Sequence, residues 1–170
     1  MKQFKTLLIA TALFFGAISI SNAQSKLAHI DTQQLIAAMP SMKTAQNQLE
    51  KIQKTYENEI KNMATELQNR MKQYQAEAPS KTDEENQKRA QEVQGMRDSI
   101  LKYEQNAQAE MGKKQEVLIT PIMDKARVAI QKVARAQGIQ YVIDSTVGSS
   151  GLILAEGTDL MTAVKKELGI

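Results

Sequence analysis

The residues best suited to chemistry are the only histidine, His29, and the adjacent pair Asp144 and Ser145. Histidine, aspartate and serine together carry out nucleophilic acyl transfer, in which the imidazole takes the proton of the serine hydroxyl. The chain lacks the glycine-flanked serine turn that presents such a nucleophile in many hydrolases. No pattern in the sequence brings the three side chains together, so we predict no enzymatic activity and no catalytic residue.

Metal and phosphate chemistry have equally little support. One histidine and no cysteine leave only scattered carboxylates as ligands, so we predict no metal site and no cofactor. The Gly148-Ser-Ser-Gly151 segment is more typical of a loop between two strands than of a phosphate cradle. The chain also has no Gly-rich nucleotide-binding motif of the Walker type.

The N-terminus has the three parts of a secretory signal peptide. A short basic segment, residues 1–5, precedes an uncharged run over Leu7–Ile20, and small residues follow at Ser21-Asn22-Ala23. We predict a signal peptide over residues 1–23 and cleavage near Ala23-Gln24. An uncleaved anchor is the alternative, but a membrane-spanning helix needs about 20 apolar residues.

Removal of the signal also removes Lys2 and Lys5, which leaves 20 basic and 19 acidic residues. A nucleic-acid partner requires a basic surface, so none is expected. An exported chain without cysteine has no disulfide to stabilise it. Its stability must therefore come from burial, in part between subunits.

Three prolines, Pro40, Pro79 and Pro121, divide the exported chain into two long intervals. In the first, apolar residues recur every three or four positions: Met42, Ala45, Leu49, Ile52, Tyr56, Ile60, Met63, Leu67, Met71 and Tyr74. The second has a thinner stripe: Ala90, Val93, Met96, Ile100, Tyr103, Ala107, Met111 and Leu118. This period, close to that of a coiled coil, predicts two helices that fold back on each other as a hairpin.

Pro79 is expected to mark the tip of this hairpin, near residues 78–83. A proline disfavours helical geometry in the residue before it, so Ala78 is predicted to leave the helix. Thr82 or Asp83 is then expected to cap the return helix, with Glu84 and Glu85 in its first turn.

The two ends of the exported chain predict a small α/β unit. Strands are expected at Lys26–Asp31, Ile139–Asp144 and Gly151–Ala155. Pro121 is expected at a helix start or kink before a helix over Ile122–Ala136, and Thr158 or Asp159 is expected to cap a last helix. The predicted fold is α+β: a three-stranded base, residues 24–40 and 121–170, with a helical-hairpin arm, residues 41–120, inserted into it.

Such a base is small, and its strands are apolar on both faces, so it needs cover from other subunits. The predicted oligomer interface consists of Leu27, Ile30, Leu35, Ile139, Tyr141, Val142, Ile143, Leu152, Ile153 and Leu154.

The exported chain resembles the Skp/OmpH family of periplasmic chaperones over its whole length. The resemblance rests on the signal peptide, the opening "KLAHIDTQQLIAAMP", the charged helical hairpin and, above all, the closing "ARAQGIQYVIDSTVGSSGLILAEGTDLMTAVKKELG". It implies a homotrimer in the periplasm of a Gram-negative bacterium, whose arms surround a cavity and hold unfolded outer-membrane β-barrel proteins without ATP. Transient contact with a membrane surface is left open.

One departure concerns charge. The best-known members are strongly basic, whereas the arm over residues 41–120 carries 13 basic and 13 acidic residues. Electrostatic capture of clients, and any lipopolysaccharide site that depends on it, are therefore in doubt.

The side chains predicted to contact clients are large and adaptable. They are Tyr56, Met63, Met71, Tyr74, Met96, Tyr103 and Met111. Their spacing also fits the seam between the two arm helices, and the two interpretations stay open. A cell-envelope adaptor protein, whose arms dock into the coiled coil of one specific partner, is the alternative function.

Overall fold

The structure of the protein is a computed structural model, and it describes residues 26–148 and 152–170. The predicted signal peptide and the middle of the Gly/Ser loop lie outside the described residues. The chain divides into two compact units, one formed up to Leu35 and from Val128 onward, the other by Ile36–Arg127. The domain boundaries drawn from the sequence stay a prediction.

Helices dominate the described chain. In chain order the elements are β1 (Leu27–Ile30), α1 (Thr32–Ala38), α2 (Pro40–Glu77), a 3-10 turn (Ala78–Ser80), α3 (Asp83–Ala136), β2 (Tyr141–Asp144), β3 (Thr158–Asp159) and α4 (Met161–Leu168). The predicted fold class, a small three-stranded sheet with a long helical hairpin, is confirmed.

Helices α2 and α3 form the hairpin of the second unit. Both are rich in Gln, Glu, Lys and Ala, which favour helix. Proline at the first position of α2 fits there because that backbone nitrogen has no helical acceptor. The helices run antiparallel, since Tyr56 meets Tyr103 and Glu77 meets Arg89.

The hairpin turns at Pro79, as predicted, but Ala78 does not leave helical geometry. Its backbone angles are φ −51° and ψ −41°, and the next residues tighten into the 3-10 turn. The chain becomes extended only at Lys81, with φ −113° and ψ 156°. Proline has no backbone N–H donor, but at the start of a short 3-10 turn that position needs no hydrogen bond. Helical geometry therefore continues through Pro79 and ends after it.

Pro121 lies inside α3 and does not begin a new helix. Its ring removes one backbone hydrogen bond, whose acceptor would be the carbonyl of Val117. Both Pro121 and Val117 are exposed, so the unbonded carbonyl lies on a solvated stretch of the helix. The helix therefore continues through the proline to Ala136.

The first unit contains a parallel sheet in the order β2-β1-β3. Leu27 pairs with Tyr141 and Ile30 with Asp144, while His29 pairs with Asp159 on the other side. The central strand thus joins segments that are far apart in sequence.

The third strand is not where the sequence predicted it. Residues 152–156 form no strand, and the second partner of β1 is Thr158–Asp159. Strand β1 has only two edges, and β2 and β3 occupy them. The apolar 152–154 segment is therefore not a neighbour of β1, and Ile153 is fully exposed.

The end of α3 follows the expected signal, whereas the start of α4 does not. Gly138, at φ 67°, ends α3, and the Ile139 amide bonds the Ala134 carbonyl at 2.9 Å. The N-cap of α4 is Leu160, and not Thr158 or Asp159 as predicted, because those two residues pair with β1 as β3. The Asp159 carboxylate still accepts the Met161 amide at 2.8 Å. The core of the unit consists of Ala28, Ile30, Leu35, Ala129, Val133, Ala134, Leu160, Met161 and Val164.

Candidate functional site

The seam of the hairpin holds most of the side chains that the sequence marked for client contact. Tyr56 and Tyr103 pack edge to face, with ring centroids 6.0 Å apart at 66°. The predicted contact residues other than Met71 are half-buried: Tyr56, Met63, Tyr74, Met96, Tyr103 and Met111. They pack along the seam and still present part of their surface to solvent, so seam filling and contact with a ligand are compatible.

Towards the tip, the apolar seam gives way to a polar cluster around Tyr74. The Arg89 guanidinium lies 4.6 Å from the centroid of the Tyr74 ring, and that of Arg70 lies 5.7 Å from it. Such contacts are attractive because the face of an aromatic ring carries partial negative charge. Two arginines and one tyrosine thus replace the hydrophobic contact that a coiled coil would place here.

Two carboxylates complete the tip cluster. Arg89 donates to Glu77 at 2.6 Å, and Tyr74 donates its hydroxyl hydrogen to Glu92. Hydrogen bonds from Gln73 and Arg89 hold the pKa of Glu77 below its ordinary value. The hydrogen bond to Glu92 raises the pKa of Tyr74, because it favours the protonated phenol.

The structure differs from the predicted apolar stripe at two positions near the tip. Met71 and Ala90 are exposed, and Arg70 and Arg89 occupy the half-buried positions. The predicted stripe contains only apolar residues. A long arginine side chain can also occupy such a position, because its aliphatic stem packs in the seam while its charged group forms hydrogen bonds at the rim. The position of Arg70, three residues after Leu67, was the available signal.

The tip itself is closed by a reciprocal cap. The Thr82 hydroxyl accepts the Glu85 amide at 3.2 Å, while the Glu85 carboxylate accepts the Thr82 amide at 3.0 Å. This capping box confirms Thr82 as the cap of the return helix. The Asn86 side chain also donates to the Ala78 carbonyl at 3.1 Å.

In the first unit, the candidate hydrolase residues meet only in part. His29 Nδ1 lies 3.2 Å from Ser145 Oγ, a contact that the sequence did not predict. Asp144 is turned elsewhere: it accepts the hydroxyl of Thr32 at 2.7 Å and that of Thr146 at 2.7 Å. Because its carboxylate is held by these hydroxyls, it does not form the third member of a triad with the imidazole.

Asp144 instead joins β2 to the start of α1. Burial alone would raise the pKa of its carboxyl, but hydrogen bonds from Thr146 and Thr32 outweigh burial and hold the pKa below the ordinary value of 3.8. The Thr146 hydroxyl also lies 3.0 Å from Asp31, whose carboxylate accepts the Gln34 amide. The hydrogen bonds of Asp144 and Thr146 therefore hold the end of β2 against the residues that follow β1.

The residues predicted for the oligomer interface fall into two groups. Ile30 and Leu35 are buried in the chain's own core and have almost no surface left for a partner. The large apolar side chains of Leu27, Tyr141, Leu152, Ile153 and Leu154 are exposed. Ile139, Val142 and Ile143 are half-buried. The interface stays a prediction, and the exposed group is the part available for it.

The described residues contain neither a cluster of metal ligands nor a helix suited to a membrane. Across residues 26–148 and 152–170, histidine, aspartate and glutamate form no group of three that could hold a metal ion. In the same ranges, helices that combine the length and the hydropathy needed to cross a bilayer are absent.

Comparison with known proteins agrees with this architecture. Residues 26–168 match the OmpH family, described as "Outer membrane protein (OmpH-like)". The chain belongs to the OmpH-like family. The resemblance stated from the sequence is thereby confirmed, over nearly all of the described chain.

Two members illustrate how far the OmpH-like similarity extends. The chain is 24% identical over 160 residues to the chaperone protein Skp of Photorhabdus laumondii, an alignment that covers 94% of this chain and 93% of that protein. A crystal structure from Caulobacter crescentus, assigned as an OmpH-like outer membrane chaperone, matches with a TM-score of 0.74 at 18% identity. That match covers 88% of each chain and shows a shared fold.

Proposed function

We propose that this protein is a periplasmic holdase chaperone, which binds unfolded outer-membrane β-barrel proteins and prevents their aggregation without ATP. The observation that carries the proposal is the seam of the hairpin, where methionine and tyrosine side chains remain partly exposed along a long polar arm. Flexible thioether and amphipathic phenol groups suit weak contact with many apolar sequences. Family membership and the chaperone relative support the same function.

The proposed assembly is a homotrimer, with a cavity between the three arms. The exposed apolar residues of the first unit, Leu27, Tyr141 and the 152–154 segment, support an association of subunits because exposed patches of this kind mark interaction surfaces. The exposed apolar side chains at 152–154 would be covered in the assembly.

Client capture in this proposal depends on apolar contacts more than on net charge. The arm has equal numbers of acidic and basic residues, and many of them pair within one helix, such as Glu50 with Lys54 at 2.7 Å. Screening at physiological salt limits the attraction between exposed charges to about 8 Å. Suppression of aggregation should therefore persist at high salt.

The deciding experiment follows light scattering when a urea-unfolded outer-membrane β-barrel protein is diluted into buffer with and without the purified protein, at low and high salt. We expect suppression at near-stoichiometric ratios under both conditions. Sedimentation of the same sample reports the oligomeric state. A folded oligomer that leaves scattering unchanged at both salts would contradict the holdase function and favour the adaptor.

A further inference from the structure

One face of the hairpin tip contains an open groove of about 540 Å³. Its apolar lining comes from Met71, Tyr74, Ala78, Ala90 and Val93. Alanine side chains are small, so the floor is shallow and leaves room for an added side chain. Met71 is 40% exposed and has the flexibility to close over a ligand.

Arg97 stands at the rim of this groove, and no carboxylate of the described residues forms an ion pair with it. Its guanidinium instead contacts the Met71 sulfur, at 3.6 Å. A thioether is a weak acceptor, so the exposed guanidinium can exchange this contact, and the water around it, for a carboxylate. The other two arginines near the tip differ, since Arg70 pairs with Glu92 at 3.6 Å and Arg89 with Glu77.

We propose that this groove binds a short extended segment of polypeptide in which a large apolar side chain neighbours a carboxylate. The apolar side chain would lie over Ala90 and Val93, beside Met71. The carboxylate would accept hydrogen bonds from Arg97 in place of the Met71 sulfur. The inference rests on the proposed function, because unfolded clients supply such segments, and it assigns them a defined contact at the tip.

The shape of the groove favours a peptide over a lipid as the occupant. The guanidinium of Arg97 requires an anionic group, which a carboxylate or a phosphate can supply, so the shape decides between the two. The shallow floor, formed largely by two alanines and a valine, has room for one or two side chains but little for several acyl chains.

Fluorescence anisotropy with labelled peptides tests the site on the protein expressed from its full sequence. Three short unstructured peptides suffice: one with a central Phe-Glu pair, one with Phe-Gln and one with Ser-Glu. We expect the Phe-Glu peptide to bind about threefold to tenfold more tightly than either of the others, because one charge-assisted hydrogen bond or one buried ring has that effect.

Three variants locate the effect. Arg97→Gln should remove the preference for Phe-Glu over Phe-Gln. Lys102→Gln removes the same charge from an exposed position of the same helix, outside the groove, and should retain the preference. Ala90→Gln should fill the floor and weaken both phenylalanine peptides.

Equal binding of the three peptides, or a preference that survives in Arg97→Gln, would overturn the site. So would micelles of an anionic phospholipid that bind through Arg97 while the peptides do not, because the occupant would then be a lipid. Aggregation assays on the same preparations separate the two proposals. If the wild-type protein suppresses aggregation but shows no peptide preference, only the groove is rejected. If the wild-type protein does not suppress aggregation, the holdase function is rejected.

Discussion

The Arg89 guanidinium lies over the ring of Tyr74, 4.6 Å from its centroid, and joins the two helices of the hairpin near their tip. The same guanidinium binds Glu77, and its Nη1 atom is buried without a hydrogen-bond partner among the described residues. The attraction between the cation and the face of the ring offsets part of the cost of this unpaired N–H group. This contact makes the tip dependent on specific side chains, in contrast with the apolar seam below it.

Arg89→Met should loosen the tip while it keeps a long apolar stem in the seam. Loss of the ring contact and of the Glu77 ion pair should increase proteolytic cleavage near Pro79 several-fold, because local opening becomes more frequent. Limited proteolysis followed by mass spectrometry measures the rate. The control is Lys102→Met, on the exposed face of the same helix, for which an equal increase would mean that the ring contact has no particular importance.

Thr82→Ala should destabilise the return helix by about 1 kcal/mol, since it removes the hydroxyl that caps the Glu85 amide. Urea unfolding followed by circular dichroism measures the change, and Thr82→Ser should restore stability. Thr65→Ala is the matched control: its hydroxyl bonds the Lys61 carbonyl inside α2, and alanine is the better helix former. Similar losses for both threonine-to-alanine variants would argue against the capping box.

Asp144 should make the first unit sensitive to acid. Its pKa is lowered in the folded protein, so its contribution to the free energy of unfolding is complete above the ordinary value of 3.8 and is lost as the pH falls through the folded value. Asp144→Asn should therefore cost stability at pH 6, and its effect should shrink as the pH falls below the ordinary value of 3.8. Urea titrations of both proteins at several pH values measure the difference. A constant difference across this range would mean that protonation of Asp144 is not coupled to folding.

Tyr56 and Tyr103 should be energetically coupled across the seam. A double-mutant cycle with Tyr56→Leu and Tyr103→Leu should give an interaction free energy of about 1 kcal/mol, as expected for an edge-to-face ring pair. The control cycle combines Tyr56→Leu with Tyr74→Leu, whose positions are 18 residues apart on α2, and should show additivity. Additive losses in the first cycle would indicate that the rings contribute only through burial.

Much of the fold could be predicted because local sequence determines it. Three local patterns were sufficient for the hairpin, since each involves residues only a few positions apart. They are the period of the apolar residues in α2 and α3, Pro79 between the two helices, and the Thr82–Glu85 cap. The strands at Leu27–Ile30 and Tyr141–Asp144 were also found, since a short apolar run next to glycine or aspartate is a local signal.

The sequence did not determine which distant segments and side chains contact each other. The apolar 152–154 segment has better strand character than Thr158–Asp159, yet β1 pairs with the latter because pairing depends on which backbone reaches the open edge. Arg70 and Arg89 belong to the hairpin seam because Tyr74 offers a ring between them and two carboxylates lie near enough to bind their charges. The contact between His29 and Ser145 was not predicted either, because these residues are 116 positions apart in the sequence. In the structure, His29 Nδ1 and Ser145 Oγ are 3.2 Å apart.

By itself, then, the sequence determined the helical hairpin, its turn, two of the three strands and the family, because periodicity, caps and composition act over a few residues. Only the tertiary structure decided which strand completes the sheet, which charged side chains enter the seam and which arginine near the tip contacts a methionine sulfur. Those outcomes depend on distances between segments that are far apart along the chain, and hydrogen bonds and ring contacts act only over a few ångströms.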